Sequence, residues 1–229
     1  MSEASLTYVY LFEYGSYLGW LIGLVLLITK FKGQRILQWT FISMTLLFPF
    51  EWYADMYWMY INYDSQFTPM MGHFPLFMPF AWGWFFALVL GVCLSQKDKL
   101  EAMGPAKSTT VILVAFVIWD IAVEGFGTNT GLWVYWWPEE SFIPGTKLPI
   151  WIPMLTALQT PAYYFSALWA EKRYANASWS SGFITYLTTT LLGSIILAVV
   201  GKIWVDTIVG HDPAPFAPQW WLDGSFPVF

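Results

Sequence analysis

Two pairs of carboxylates stand inside stretches otherwise suited to lipid. Glu51 and Asp55 lie in FISMTLLFPFEWYADMYWMY, and Asp120 and Glu124 in VILVAFVIWDIAVEGFG. A spacing of four puts both acids of a pair on one helix face, one turn apart. Acids within membrane helices are costly and mark functional sites by default. Desolvation and a like charge nearby both favour the neutral acid, so each pair is expected to hold a proton near neutral pH. A protonated carboxyl can attack an alkene or epoxide and start a carbocation cascade. Its partner carboxylate can stabilise the cation or remove the final proton. Aromatic faces stabilise cations by roughly 0.5–2 kcal/mol each, and this chain is 21% aromatic with 16 Trp. That is more than an interfacial belt needs. Glu51, Asp55, Asp120 and Glu124 are therefore the candidate catalytic residues, with Glu51 and Asp120 favoured as the deeper acids. The candidate substrate-binding surface is Trp52, Tyr53, Trp58, Trp82, Trp119, Trp133, Tyr135 and Trp151. The substrate expected is apolar and isoprenoid-like, and the chemistry calls for no cofactor.

The elements that must position these residues are transmembrane helices. The chain is 57% hydrophobic and 11% charged, against about 25% charged in soluble domains. Its mean hydropathy is +0.52. The fold expected is all-α and integral to the membrane, a single domain over 1–229 in contact with lipid. Six apolar spans are read at roughly 7–29, 36–62, 74–95, 108–125, 148–170 and 180–209, the fourth extending or breaking near Gly125 and Gly127. A short helix near Pro215–Leu222 would make seven, and the tail from Gly210 reads as an outer docking arm. Eight of the ten basic residues fall in the loops after spans one, three and five. The positive-inside rule then puts those loops in the cytoplasm and both termini on the other side. The acid pairs fall in the outer leaflet, and the cytoplasmic halves hold no acid. The sequence MSEASLTYVYLFEYG lacks the basic n-region of a signal peptide and reads as the mature start. No basic stripe points to nucleic acid. A single Cys93 excludes an internal disulfide framework and a Cys-based metal site.

The chain reads as duplicated. Glu51-x3-Asp55 is followed by an aromatic loop and then His73-Phe-Pro75-Leu-Phe-Met-Pro79. Asp120-x3-Glu124 is followed by an aromatic loop and then Lys147-Leu-Pro149-Ile-Trp-Ile-Pro153. Repeat one covers about 36–95 and repeat two about 108–170, both crossing in the same direction. The second Pro of each P-x3-P is expected to kink or loosen the outer end of its helix. Two equivalent interrupted helices are a way to build one central site.

The stretch WDIAVEGFGTNTGLWVYWW, followed by LPIWIP, resembles the membrane carotenoid cyclase and hydratase group. In heterodimeric-type lycopene cyclases each repeat has an acid-bearing helix, a G-x-W-x-Y-like loop and a helix opened by Pro, an apolar residue and two acids. Asp120 and Gly131-Leu-Trp133-Val-Tyr135 match the first two parts. The third departs: Ile150-Trp151 and Leu76-Phe77 stand where that pattern has acids. The small membrane-bound terpene cyclases of meroterpenoid pathways are similar in size and composition, and Phe50-Glu51-Trp52 echoes their acid-bearing helix. The resemblance covers about residues 40–170 and implies a terpenoid or carotenoid cyclase, isomerase or lyase.

Other readings stay open. Glu13, His73 and His211 could join the four acids in a carboxylate–histidine set suited to iron, manganese or zinc, although no E-x-x-H or H-x3-H spacing is present. The chain could instead be an accessory subunit of an oxidase, monooxygenase or photosynthetic complex, with its aromatic surface facing membrane-protein partners. The lack of a polar path through the cytoplasmic halves argues against a transporter. Lys202 and Asp206, four apart, are expected to pair.

Overall fold

A chain of this composition can enter lipid only by closing its backbone hydrogen bonds within each segment. The structure, a computed structural model that describes residues 4–55, 60–68, 70–210 and 212, is accordingly mostly helical. The helices are α1 (Leu6–Thr29), α2 (Arg35–Leu46), α3 (Phe48–Ala54), α4 (Met78–Ser95), α5 (Lys97–Ala102), α6 (Pro105–Thr130), α7 (Trp151–Tyr174) and α8 (Trp179–Trp204). Short strands β1 (Ile61–Tyr63), β2 (Met70–Met71), β3 (Phe74–Pro75) and β4 (Trp133–Tyr135) lie in the connections at one end. Trp58, His211, the helix expected near Pro215–Leu222 and the tail beyond Asp212 lie outside the described residues.

Four helices are long and apolar enough to cross a membrane: α1, α4, α6 and α8 with its continuation to Thr207. The chain is a helical membrane protein on that ground. The other two expected spans coincide with α2–α3 and with α7. The span read at 36–62 is not one continuous helix. Pro49 has no N–H to return to the preceding turn, so α2 ends at Leu46, α3 begins at Phe48, and the chain is a strand by Ile61. α7 is 24 residues long, but Thr156, Gln159, Thr160 and Pro161 lie on its buried face. α6 runs through Gly125 and Gly127 and stops only at Gly131, which takes the left-handed conformation (φ 79°) that suits glycine at a helix end.

The prolines of the two P-x3-P motifs do not kink their helices. Pro75 lies in β3 and Pro149 in an isolated bridge with Phe142, both ahead of the helix that follows. Pro79 and Pro153 fall in the first turns of α4 and α7, where backbone N–H groups have no helical partner to lose. The proline inside a helix is Pro161.

The long helices form an open arc in the order α1, α4, α2, α8, α7, α6. Its two ends meet through Tyr8 and Phe126, edge to face at 5.7 Å. α1 is held to α4 along a glycine face. Gly15, Gly19 and Gly23 are spaced by four, and a Cβ on Gly19 would come within 2.9 Å of the Trp84 ring. At the far end Lys97 pairs with Glu171 at 3.8 Å, and Arg35 donates to the Ala177 carbonyl. Lys202 and Asp206 do pair, at 2.5 Å.

Gly182 of α8 is a test of this packing. A Cβ there would overlap the indole of Trp39, which is fully buried and cannot retreat. Gly182→Ala is expected to cost about 1–3 kcal/mol, the range for overpacking, and to lower the thermal midpoint in detergent. Gly193→Ala on the same helix, where nothing lies within 4 Å, should leave the midpoint unchanged or raised.

Candidate functional site

The two aromatic loops that follow the acid pairs bond to each other. β1 and β4 run antiparallel, with Ile61 opposite Tyr135 and Tyr63 opposite Trp133. This small ladder brings a phenol to each acid pair. Tyr63 donates its hydroxyl to Asp55 Oδ2 at 2.5 Å. Tyr135 donates to Glu124 Oε2 at 2.7 Å, and the Trp133 indole N–H donates to the same oxygen at 2.8 Å. Burial first, and then the neighbouring carboxylate, pushes both phenols well above their ordinary values, so they remain donors. Trp133 reaches Glu124 because Gly127, one helical turn beyond the acid, leaves its face bare and the indole lies directly on it.

The second acid of each pair is thus held as an acceptor by its own downstream strand. The first acids are not. Among the described residues Glu51 Oε2 and Asp120 Oδ2 are buried without a hydrogen-bond partner. All four carboxyls interact electrostatically across the two pairs, Glu51 with Glu124 and Asp55, and Asp120 with both Glu124 and Glu51. No ion pair reaches any of them among the described residues. They form one cluster that must share protons, because uncompensated charges of one sign are too costly when buried together.

Beside this cluster lies a cavity of about 360 Å³. Asp55, Asp120 and Glu124 line it, with Tyr63, Trp133 and Tyr135 on the strand side and Trp82, Phe85 and Trp119 opposite. It fills the space between α1 and α4 at one end of the arc and α6 at the other. The indole N–H of Trp82 is buried without a partner among the described residues.

Of the residues singled out in the sequence, Asp55, Asp120, Glu124, Trp82, Trp119, Trp133 and Tyr135 line this cavity. Glu51 does not; it interacts electrostatically with Glu124 and with Tyr163. Tyr53 is 53% exposed and faces a separate groove against α8. Trp151 packs on Trp204 with ring centres 4.9 Å apart, and Trp52 is packed against the core of the strand end. Glu13 is buried and accepts the backbone N–H of Thr68 at 3.3 Å. It ties α1 to the strand end. His73, at the β2–β3 turn, is held below its ordinary pKa by burial and does not line the cavity. Among the described residues no three His, Cys, Asp or Glu side chains converge on a metal position.

Tyr63 escaped the sequence reading. Its signal was a Tyr at the end of each aromatic loop, eight residues past Asp55 and eleven past Glu124. The seams of α2, α7 and α8 also carry buried hydroxyls. There Thr40 and Tyr186 share a hydrogen bond at 3.0 Å, and Tyr163 bonds to Ser194 at 2.9 Å and to Gln159. All are buried at the seams of α2, α7 and α8. Hydroxyls in such seams join helices that have no hydrophobic reason to associate within lipid, and their polarity lowers the hydropathy of α7.

Comparison with protein-family models, with curated proteins and with solved structures finds no match to this chain.

The phenol clamp carries a measurable share of stability. Tyr135→Phe keeps the ring and removes the bond to Glu124. It should cost about 1.5–3 kcal/mol, the range for hydrogen bonds to charged groups, read as a lower midpoint of thermal unfolding in detergent. Phe142→Leu, outside the acid cluster, provides the comparison for a change at the same end. A Tyr135→Phe midpoint no lower than that of Phe142→Leu would mean that the clamp does not hold the site.

Proposed function

We propose that this protein is a membrane enzyme that cyclises or hydrates a long apolar isoprenoid by proton transfer. One observation carries the reading: a buried Asp120 carboxyl oxygen without a partner at the wall of an aromatic cavity, one turn from a Glu124 held as an acceptor. Asp120 is the proton donor. It adds a proton to a terminal alkene or epoxide, the neighbouring double bond supplies the electrons that close the ring or water supplies them to form an alcohol, and a proton leaves to Glu124 or Asp55. Trp82, Trp119 and Trp133 offer their faces to the cation in transit, and the Trp82 N–H suits an epoxide oxygen. Glu51 is a positioning residue that shares the cluster's protons with Asp120.

The reading includes six spans arranged as two parallel repeats, with α2–α3 and α7 as the remaining crossings. The matching roles of Tyr63 and Tyr135, each clamping the second acid of its pair, support the repeat. Both termini are on the non-cytoplasmic side in this reading. The contacts Lys97–Glu171 and Arg35–Ala177 support it, because they gather the three basic loops at one end.

The test is turnover of linear isoprenoid alkenes and their terminal epoxides by protein in nanodiscs made up in D2O. Product should carry deuterium at the protonated carbon. Asp120→Asn should slow turnover by about 10²–10⁴-fold, the usual contribution of a general acid, and Glu51→Gln should slow it less. Undiminished turnover by Asp120→Asn would sink the reading.

A further inference from the structure

Glu51 is the one acid of the four that does not line the cavity, yet its Oε2 is buried without a partner among the described residues. It interacts with Tyr163 of α7, in the seam where α2, α7 and α8 meet. Tyr163 bonds to Ser194 of α8 at 2.9 Å. Ser194, Thr190 and Tyr186 are spaced by four, so they share one face of α8, and all three are buried. Tyr186 in turn bonds to Thr40 of α2 at 3.0 Å. Thr190 stands between the two bonded pairs, its hydroxyl buried without a hydrogen-bond partner among the described residues. Tyr164 belongs to the same core as Tyr186, and its hydroxyl is likewise unpartnered. It interacts with Glu101, which is exposed on α5, the helix that carries Lys97.

Hydroxyls that only join helices bond across the seam or back to the carbonyl one turn earlier. Thr40 and Thr156 take that backward bond. Ser43, Thr160 and Thr190 are as deeply buried and, among the described residues, take neither. Burying a hydroxyl without a bond is costly, so three on the facing sides of α2, α7 and α8 call for a purpose besides packing. We propose that this seam is a proton relay between Glu51 and water at the Lys97 end, running from Tyr164 through Tyr186, Thr190, Ser194 and Tyr163. It requires only that the four acids share protons and does not depend on the substrate proposed above. A proton from hydronium at that end joins the first oxygen as that oxygen's own proton passes to the next. The last proton leaves Tyr163 for a Glu51 carboxylate. Each O–H bond broken is matched by one formed, so no charge stays on a phenol, and the hydroxyls then turn back. Tyr163 rests with its hydroxyl donated to Gln159, and that bond opens when the proton is passed on.

Infrared spectroscopy of the protein in nanodiscs tests this. A protonated carboxyl gives a C=O stretch that shifts when deuterium replaces its proton, and Glu51→Gln identifies the part due to Glu51. The rate of that shift after mixing with mildly acidic D2O is the measurement. Thr190→Val removes a hydroxyl that bonds to nothing and nearly keeps the shape of the side chain. It should slow exchange at Glu51 about tenfold, ~1.4 kcal/mol on the barrier, without lowering the thermal midpoint. Tyr163→Phe should slow it at least as much. Thr190→Ser keeps the hydroxyl and should exchange at the native rate. So should Thr189→Val, whose lost hydroxyl is bonded within its own helix. Native exchange in Thr190→Val would overturn the relay and mean that protons reach the acids by another way, such as the cavity. Equal slowing by Thr189→Val, or a Glu51 that carries no exchangeable proton, would overturn it as well.

Discussion

Four carboxyls, three buried and Glu124 half-buried, with no ion-pair partner among the described residues, impose the constraint on which the rest of this molecule rests. Charge of one sign cannot accumulate there, so protons must be shared and lone pairs must find donors. The donors come from outside the helices that carry the acids. Tyr63, Tyr135 and Trp133 all belong to the β1–β4 ladder, so the ladder is what makes the cluster tolerable. It also sorts the acids by role. Asp55 and Glu124 are fixed as acceptors, and Glu51 and Asp120 keep an uncommitted oxygen. A purely structural cluster would gain from pairing every oxygen, since each orphaned buried polar atom costs about 1–3 kcal/mol. Of the two left unpaired, Asp120 lines the cavity and Glu51 does not.

The cavity beside the acids depends on where side chains are missing. α1 meets α6 through Tyr8 and Phe126 at the strand end, and at Gly15 of α1 nothing lies within 4 Å of where a Cβ would be. Gly127 serves the opposite purpose, admitting the Trp133 indole so closely that no other residue could stand there. Glycine thus opens volume on one wall and fixes a hydrogen-bond donor on the other. Aromatic rings fill most of what remains, as with Phe85 edge-on to Phe116 and Phe86 stacked on it.

The acid pairs were legible in the sequence because helical spacing is local: Glu51 with Asp55, and Asp120 with Glu124, share a face whatever surrounds them. The four most apolar helices were legible for the same reason. Pro49 was overlooked because averaged hydropathy does not register a single missing N–H. Trp82, Trp119, Trp133 and Tyr135 line the cavity, whereas Tyr53 and Trp151 do not. In water the buried face of a helix announces itself by polarity, but in lipid both faces are apolar. α1 is apolar nearly all round, and only its glycines betray the side that meets α4. The pairing of β1 with β4 was out of reach because it joins residues far apart in sequence through backbone bonds that no side-chain pattern dictates.

That distance has a consequence for biosynthesis. Ile61 leaves the ribosome long before Tyr135, its partner in the ladder, and α4 and α6 must both be threaded into the bilayer in between. Until then Glu51 and Asp55 sit in a nascent hairpin with Tyr63 but without the second strand that holds it in place. The completed ladder joins the connection after the first acid pair to the connection after the second, so the donors of both pairs come into place together and only after Tyr135 has been made.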